Sequence, residues 1–201
     1  MYNNLIYVNG DSFSEGCYYS NRTECWPWRL NIHGVDVLND AMGGSSNHRI
    51  MRTTFHTVTR MTDRISITIL QWTDPCRWER PGNDNYVRQF RNTESDTVVF
   101  GNWIDQIATM EHFFNCMNIP VFFFCAYTAL DQFSISDDVD RQRIQKKMSM
   151  IDRTKWIWPY STSLINWSND NNLQFRDDGH LQSHENIKVA EFIRKFLLER
   201  T

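Results

Sequence analysis

The sequence predicts an α/β fold in which a mainly parallel sheet lies between two layers of helices, a three-layer α/β/α sandwich. Apolar segments typical of strands alternate along the chain with segments whose apolar residues recur every three or four positions, as they do in helices. The strand segments are residues 4–9, 35–39, 65–70 and 121–126, and the helical segments are residues 46–62, 101–117 and 183–199. Such alternation is typical of crossover connections, which join parallel strands through a helix.

The four strand segments are short runs of apolar or β-branched residues. Residues 4–9 contain the run Leu-Ile-Tyr-Val, residues 35–39 read Val-Asp-Val-Leu-Asn, and residues 65–70 contain three isoleucines. Residues 121–126 are apolar throughout, as expected of a parallel strand that helices cover on both faces. We therefore expect this last segment to be buried on both sides of the sheet.

The three helical segments carry an apolar stripe at spacings of three and four residues. This stripe is present in residues 46–62 and 101–117 and is repeated in residues 183–199. The last segment begins with Ser183, which we expect to cap the helix, and basic residues lie toward its end, where they complement the helix dipole.

One domain is expected to contain the whole chain, residues 1–201. The length suits one sizeable core, and the sequence has no internal repeat, no low-complexity stretch and no linker. Residues 72–97 and 154–179 interrupt the alternation; both are rich in aromatic residues, and the first also carries four arginines. Because long loops in compact domains are commonly functional, we expect these two segments to border a binding site.

The composition is that of an ordinary globular protein, with 41% hydrophobic and 22% charged residues. A net charge of −3 gives no electrostatic basis for binding nucleic acid. Five cysteines without C-x-x-C spacing argue against a disulfide framework and against a zinc ribbon. No signal peptide or membrane-spanning segment is visible. We expect a cytoplasmic protein that binds neither nucleic acid nor membranes.

A candidate nucleophile directly follows the first strand segment. Ser12 ends the sequence Gly-Asp-Ser, and open α/β sheets expose their reactive groups beyond the carboxyl ends of strands. A serine attacks well only when a base takes its proton and an acid holds that base in the correct tautomer. Asp177 and His180 supply these two types near the end of the chain, and Asp178 is the adjacent alternative to Asp177. We expect Ser12, Asp177 and His180 to form a catalytic triad.

The chain resembles the SGNH (GDSL) hydrolases in three blocks that occur in that family's order. Gly-Asp-Ser at residues 10–12 resembles the first block, the glycine-containing residues 39–47 resemble the second, and Asp-x-x-His at residues 177–180 resembles the last. The resemblance implies a flavodoxin-like fold and an ester hydrolase that works through an acyl-enzyme without a cofactor. It also implies that the backbone N–H groups of Ser12 and Gly44 hold the oxyanion.

The third block departs from the family pattern. The family has Gly-x-Asn-Asp there, with an Asn side chain that donates to the oxyanion, whereas this chain has Gln-Trp-Thr-Asp at residues 71–74. Thr73 falls at the Asn position, and its hydroxyl can donate a hydrogen bond. We expect Thr73 to complete the oxyanion hole unless Gln71, Asn47 or Arg77 takes its place. Without any such donor the rate would be lower by about 10²–10³.

The composition of the interrupting loops suggests a substrate class. Aromatic platforms stack on sugar rings, and arginines hold acidic groups. We therefore expect small acyl esters as substrates, with O-acetyl groups on carbohydrate preferred. The side chains expected to contact the substrate are Asp11, Asn47, Trp72, Arg77 and Trp78.

Two other functions fit the sequence. One is an SGNH-fold carbohydrate-binding module with weak or no catalysis, because the third-block Asn is missing and aromatic residues are abundant. The other is a metallohydrolase that uses Asp177, His180 and His184, in which the two histidines are four residues apart. The sequence shows no glutamate between the histidines that could act as a base, so the prediction contains no metal site.

Overall fold

The computed structural model describes residues 5–77, 96–130, 135, 137–159 and 161–200. Within these ranges the sheet contains four strands, which are β1 (Leu5–Asn9), β2 (Asp36–Asn39), β3 (Ile65–Trp72) and β4 (Val121–Cys125). The strand order is β2-β1-β3-β4, and all three pairings are parallel. The predicted α/β fold with a parallel sheet is confirmed, and the four strands lie where the sequence placed them.

Six α-helices lie within the described residues and flank the sheet. They are α1 (Ser12–Glu15), α2 (Asn47–Arg60), α3 (Asp96–Met117), α4 (Asp138–Met148), α5 (Leu164–Asp170) and α6 (Asn186–Leu198). Short 3₁₀ turns cover Arg22–Glu24, Trp26–Arg29, Arg153–Lys155 and Ser183–Glu185. None of the helices in the described ranges combines the length and the apolar content that crossing a bilayer requires.

The sheet separates two apolar cores. Strand residues alternate between them, so that Leu5 and Tyr7 of β1 face one core and Ile6 and Val8 face the other. Helices α2 and α3 cover the first core, with buried side chains that include Ile50, Val58, Trp103 and Ile107. Helix α6 and the turn Trp26–Arg29 cover the second, with buried side chains that include Trp26, Val189, Ile193 and Leu197. Two faces buried by helices give the three predicted layers.

The last helix starts later than predicted. Ser183 begins a 3₁₀ turn, and α6 itself begins at Asn186, so the prediction of Ser183 as the helix cap is wrong. The Asn186 side chain explains why the helix starts later. It is buried, it accepts a hydrogen bond from the Trp26 backbone N–H at 3.2 Å, and it donates to the Tyr19 hydroxyl at 2.8 Å. These bonds fix the start of α6 to the segment that follows β1.

The site lies at the carboxyl edge of the sheet, where β1 and β3 come very close together. A Cβ atom on Gly10 would lie 2.7 Å from the Cβ of Gln71, which is too short for any real contact. Only glycine therefore fits at position 10 while the two strand ends keep this distance. The close approach brings the residues that follow β1 next to those that follow β3.

Candidate active site

Ser12 is the first residue of the one-turn helix α1. The carboxylate of Asp11 caps this helix by accepting a hydrogen bond from the Phe13 N–H at 3.1 Å, and Gly16 ends it with a φ of 76°. The cap fixes where the turn begins. The Ser12 side chain is therefore held at the carboxyl edge of the sheet, where it is 4% exposed.

His180 reaches Ser12 from the opposite end of the chain. Its Nε2 atom lies 2.8 Å from the Ser12 Oγ atom. His180 lies on a tight loop closed by an antiparallel bridge between Phe175 and Leu181. Its ring packs between two aromatic rings, with centroid distances of 4.8 Å to Phe13 and 4.0 Å to Tyr18. The structure thus brings two of the three predicted triad residues into the contact that a serine nucleophile and its base require.

The acid beside His180 is Asp178, and the prediction of Asp177 is corrected. The Asp178 Oδ1 atom lies 3.3 Å from the His180 Nδ1 atom and accepts the His180 backbone N–H at 3.0 Å. Asp177 is exposed, lines a cleft of about 380 Å³ that Asp178 also borders, and has no such contact with the His180 ring. The physical reason is the turn itself, because a carboxylate two residues before an N–H can accept from it, which directs Asp178 toward the ring.

The charge of Asp178 is favoured by its surroundings. Desolvation acts to raise the pKa of this carboxyl, but the hydrogen bond from the His180 backbone and the electrostatic effects of the His180 ring and of Arg176 outweigh it. The pKa of Asp178 is therefore lower than its ordinary value. The Arg176 Nε atom lies 3.2 Å from the second carboxylate oxygen. An ionised Asp178 can hold a proton on His180 Nδ1, which leaves Nε2 free to accept one.

Gly44, the second predicted oxyanion donor, lies in a turn that packs against α1. It has a φ of 75°, the left-handed conformation that glycine adopts without strain. The N–H of the preceding residue, Gly43, donates to the Glu15 carboxylate, and a Cβ on Gly43 would lie 3.7 Å from the Cβ of Ser12. The turn is thus adjacent to the nucleophile, and a role for the Gly44 N–H in binding the oxyanion stays a prediction.

Thr73 does not present a free hydroxyl, in contrast to the prediction. Its Oγ1 atom donates to Asp11 Oδ2 at 2.7 Å and accepts from Arg77 Nη1 at 2.7 Å. The Asn47 side chain is similarly engaged, since it accepts the Thr73 N–H at 2.9 Å and donates to the Thr73 carbonyl at 3.2 Å. Both side chains are buried. Their hydrogen bonds hold the loop after β3. The Thr73 hydroxyl proton is already donated to Asp11, which argues against the expected donation to the oxyanion.

A buried ion pair joins Arg77 to Asp11, the residue that directly precedes the nucleophile. The Arg77 Nη1 atom lies 2.9 Å from Asp11 Oδ2, and the Gln71 amide donates to the other carboxylate oxygen. Asp11 is fully buried and Arg77 is 8% exposed. A buried carboxylate is tolerated only when it is paired and hydrogen-bonded, and this one has partners on both oxygens. The pair fixes the start of α1 against the loop after β3.

The predicted substrate contacts stay predictions, and the structure shows where four of the five residues lie. Trp72 is fully buried in the first core and packs against Phe123 with a centroid distance of 6.0 Å. Asp11, Asn47 and Arg77 are buried and are engaged in the interactions described above. The position of Trp78 lies outside the described residues.

The residues of the predicted metal alternative do not converge. His180 Nε2 contacts Ser12, whereas His184 Nε2 lies 3.4 Å from the Glu185 carboxylate. Within the ranges that the structure describes, no three His, Cys, Asp or Glu side chains are grouped as a metal site requires. The geometry favours His180 as the partner of the serine.

Sequence reasoning missed Tyr127, which follows β4 by two residues. Its ring packs edge-on against Phe13 with a centroid distance of 5.2 Å, and the Arg77 Cζ atom lies 4.8 Å from its centroid. Hydrogen bonding from the Ser12 and Arg77 side chains acts to lower the pKa of its hydroxyl, against the burial that raises it. One signal could have found it, because side chains just beyond the carboxyl ends of parallel strands gather at one edge of the sheet.

The same fold occurs in solved structures of esterases. The lipase/acylhydrolase from Enterococcus faecalis is 13% identical, with a TM-score of 0.59 over 98% of this chain and 96% of its own. TesA is 11% identical, with a TM-score of 0.59 over 96% of this chain and 97% of its own. The acetyl xylan esterase AlAXEase is 13% identical, with a TM-score of 0.57 over 95% of this chain and 98% of its own.

The chain has the SGNH hydrolase fold. The likeness extends over almost the full length of each enzyme. No protein-family model and no curated protein matches the sequence. Since the identities to the solved structures are low, the likeness concerns the fold, and the chemistry is argued from the site.

Proposed function

We propose that this protein is a serine-dependent ester hydrolase that acts on small acyl esters through an acyl-enzyme. The observation that carries the proposal is the 2.8 Å contact between Ser12 Oγ and His180 Nε2, at the sheet edge where α/β proteins bind ligands. A fold shared with esterases and lipases supports it.

The reaction follows from the roles that the two side chains can take. Ser12 Oγ attacks the acyl carbon while His180 Nε2 takes the hydroxyl proton, and Asp178 orients the imidazole as a positioning residue. The tetrahedral intermediate collapses when the bond to the leaving alcohol breaks and His180 returns the proton to that oxygen. Water then repeats the sequence on the acyl-enzyme and releases the acid and Ser12. These steps draw on the chain's own groups and water.

The substrate proposed is an O-acetyl ester on carbohydrate. The ring of Tyr18 is 44% exposed and packs on His180, so a flat aromatic surface borders the reactive groups. Trp28, on the turn that covers the second core, is also exposed at 43%. Exposed tyrosine and tryptophan rings suit the apolar faces of sugars. A similar solved structure is that of an acetyl xylan esterase.

Hydrolysis of two ester sets tests this function. Wild-type protein is assayed against aryl esters of increasing acyl length and against acetylated xylan, alongside Ser12→Ala as the matched control. We expect acetyl esters to be turned over fastest, and we expect Ser12→Ala to lose activity. Equal rates for wild type and Ser12→Ala would refute serine catalysis, whereas preference for long acyl chains would refute only the acetyl specificity.

A carbohydrate-binding module is the second candidate, and one observation favours it. The Thr73 hydroxyl and the Asn47 amide, which could have served the oxyanion, are engaged within the protein. A module of this kind would bind oligosaccharides equally well with and without the Ser12 hydroxyl while turning over no ester. Isothermal titration with xylo-oligosaccharides, run beside the ester assay, separates the two functions.

A further inference from the structure

The oxyanion of the proposed reaction needs a side-chain donor that the predicted residues do not supply. Acyl transfer moves negative charge onto the former carbonyl oxygen, and fixed hydrogen-bond donors stabilise that charge. The Thr73 hydroxyl donates to Asp11, and the Asn47 amide donates to the Thr73 carbonyl. The Gln71 amide and the Arg77 guanidinium, the other two candidates, both donate to Asp11. A third donor beside the backbone N–H groups of Ser12 and Gly44 is therefore sought on another element.

Tyr127 is held at the place from which such a donor could act. It follows β4 at the same sheet edge as Ser12, and its ring lies edge-on to Phe13, the residue after the nucleophile. The Arg77 Cζ atom lies over the ring, 4.8 Å from its centroid, which favours a cation–π attraction. Because Arg77 is itself fixed by its ion pair with Asp11, the tyrosine ring has a rigid support.

The Tyr127 hydroxyl is suited to donate rather than to accept. A Ser12 proton donated to His180 Nε2, 2.8 Å away, is not available to Tyr127. Burial raises the pKa of Tyr127 and the negative charge of Asp11 acts in the same direction, and together they outweigh Ser12 and Arg77, which act to lower it. The phenol thus keeps its proton across the neutral range.

We propose that the Tyr127 hydroxyl is the side-chain donor of the oxyanion hole, in place of the amide that this chain lacks. This inference rests on the proposed function. As the bond from Ser12 Oγ to the acyl carbon forms, the carbonyl electron pair moves to oxygen and the serine proton passes to His180. Tyr127 keeps its proton and donates a hydrogen bond to that oxygen. When the carbonyl re-forms, the leaving alcohol takes the proton from His180.

The test is Tyr127→Phe, which removes the hydroxyl and keeps the ring. With an aryl acetate we expect kcat to fall by about 10²–10³ with little change in KM, as is typical for the loss of one oxyanion donor. The inhibition constant of a trifluoromethyl ketone should rise in parallel, because its adduct with Ser12 carries the same oxyanion. A merely structural role of Tyr127 would leave the affinity for this inhibitor unchanged.

Two controls make the outcome unambiguous. Tyr7→Phe removes the hydroxyl of a fully buried tyrosine that contacts Asp40 in the first core, and it should lower stability while kcat stays unchanged. Ser12→Ala separates the two proposals. If Ser12→Ala is inactive but Tyr127→Phe keeps the wild-type kcat, the oxyanion role is overturned. If Ser12→Ala is as active as wild type, the proposed function fails first.

A shape-conserving replacement covers the case in which Tyr127→Phe does not fold. With 3,5-difluorotyrosine at position 127 the phenol ionises at lower pH than tyrosine, and a phenolate cannot donate a hydrogen bond. We expect kcat to decline on the alkaline side at a lower pH than in the wild type. An unchanged pH profile would contradict the proposal.

Discussion

The Nε2 atom of His180 lies 2.8 Å from the Oγ atom of Ser12, although 168 positions of sequence separate the two residues. Different elements fix the two ends of this contact. The helix α1, capped by Asp11, carries Ser12, while a bridged loop between Phe175 and Leu181 carries His180. Small errors in either position would weaken proton transfer, since a general base must lie within hydrogen-bonding reach.

Replacing Asp178 tests the corrected identity of the acid. In Asp178→Asn the carboxylate that contacts His180 Nδ1 at 3.3 Å becomes an amide, which favours the wrong imidazole tautomer. We expect kcat for an aryl acetate to fall by about 10²-fold or more, with little change in KM. Steady-state kinetics at neutral pH measures both constants.

The matched control for that experiment is Asp177→Asn, which changes the exposed neighbouring carboxylate. We expect wild-type kcat for this variant, because His180 contacts Asp178. A large loss of kcat in Asp177→Asn together with normal kinetics in Asp178→Asn would restore the original sequence prediction.

Replacing Arg77 tests its ion pair with Asp11. Arg77→Met leaves the fully buried Asp11 carboxylate without its cation, and loss of one partner from a buried pair typically destabilises by about 3–5 kcal/mol. We expect the free energy of unfolding in urea to fall by this amount. The double variant, with Asp11→Asn and Arg77→Met, should recover part of this loss. If Arg77→Met were as stable as the wild type, the ion pair would contribute nothing to the free energy of unfolding.

Replacing Gly10 tests the close approach of β1 and β3. In Gly10→Ala the new methyl would lie 2.7 Å from the Gln71 Cβ, so the strand ends must separate, at a cost of about 1–3 kcal/mol. Gly101→Ala is the control, since its methyl would meet only ordinary contacts at 3.7 Å and alanine favours helix by about 0.5–1 kcal/mol. Urea unfolding should therefore show changes of opposite sign, and equal stabilities would contradict the packing described.

Lowering the pH should remove the contribution that ionised Glu185 makes to stability. Desolvation acts to raise its pKa, but Lys188, the Gln174 N–H and His184 outweigh this and lower it. The folded protein therefore binds the proton less readily than the unfolded chain. This contribution to stability is present above the ordinary glutamate value and is lost as the pH falls through the lower folded value.

Unfolding midpoints measured across that acid range check the sign. Wild type should lose stability more steeply than Glu185→Gln as the pH falls, whereas the exposed-site variant Glu199→Gln should follow wild type. If the unfolding midpoints of wild type and Glu185→Gln fell in parallel with pH, the Glu185 carboxyl would not contribute to the pH dependence of stability.

The longer helices could be predicted because each carries a period in its apolar residues, and the strands because they are short runs of apolar or β-branched residues. Helix α4 lacks an apolar stripe, since Ile144 is its buried residue and charged residues dominate the rest, and it was therefore not predicted. The one-turn helix α1 is too short to show any period. Its existence depends on the Asp11 cap, which becomes visible only when the fold is known.

The site residues also divide into those that the sequence predicted and those whose role depends on tertiary contacts. Ser12 and His180 were predictable because serine and histidine have few other uses at those points in an α/β chain. The choice of Asp178 over Asp177 depends on the geometry of a turn, and the engagement of Thr73 depends on an ion pair between Asp11 and a residue 66 positions away. Tertiary contacts of this kind leave no periodic pattern in a single sequence.

Covalent labelling of Ser12 tests the central claim most directly. The protein is incubated with a fluorophosphonate, digested and analysed by mass spectrometry, with Ser12→Ala and His180→Ala treated in parallel. We expect one phosphonyl adduct on the peptide that contains Ser12 in the wild type, and none on that peptide in either variant. An unlabelled wild-type Ser12, or equal labelling in His180→Ala, would contradict an activated serine.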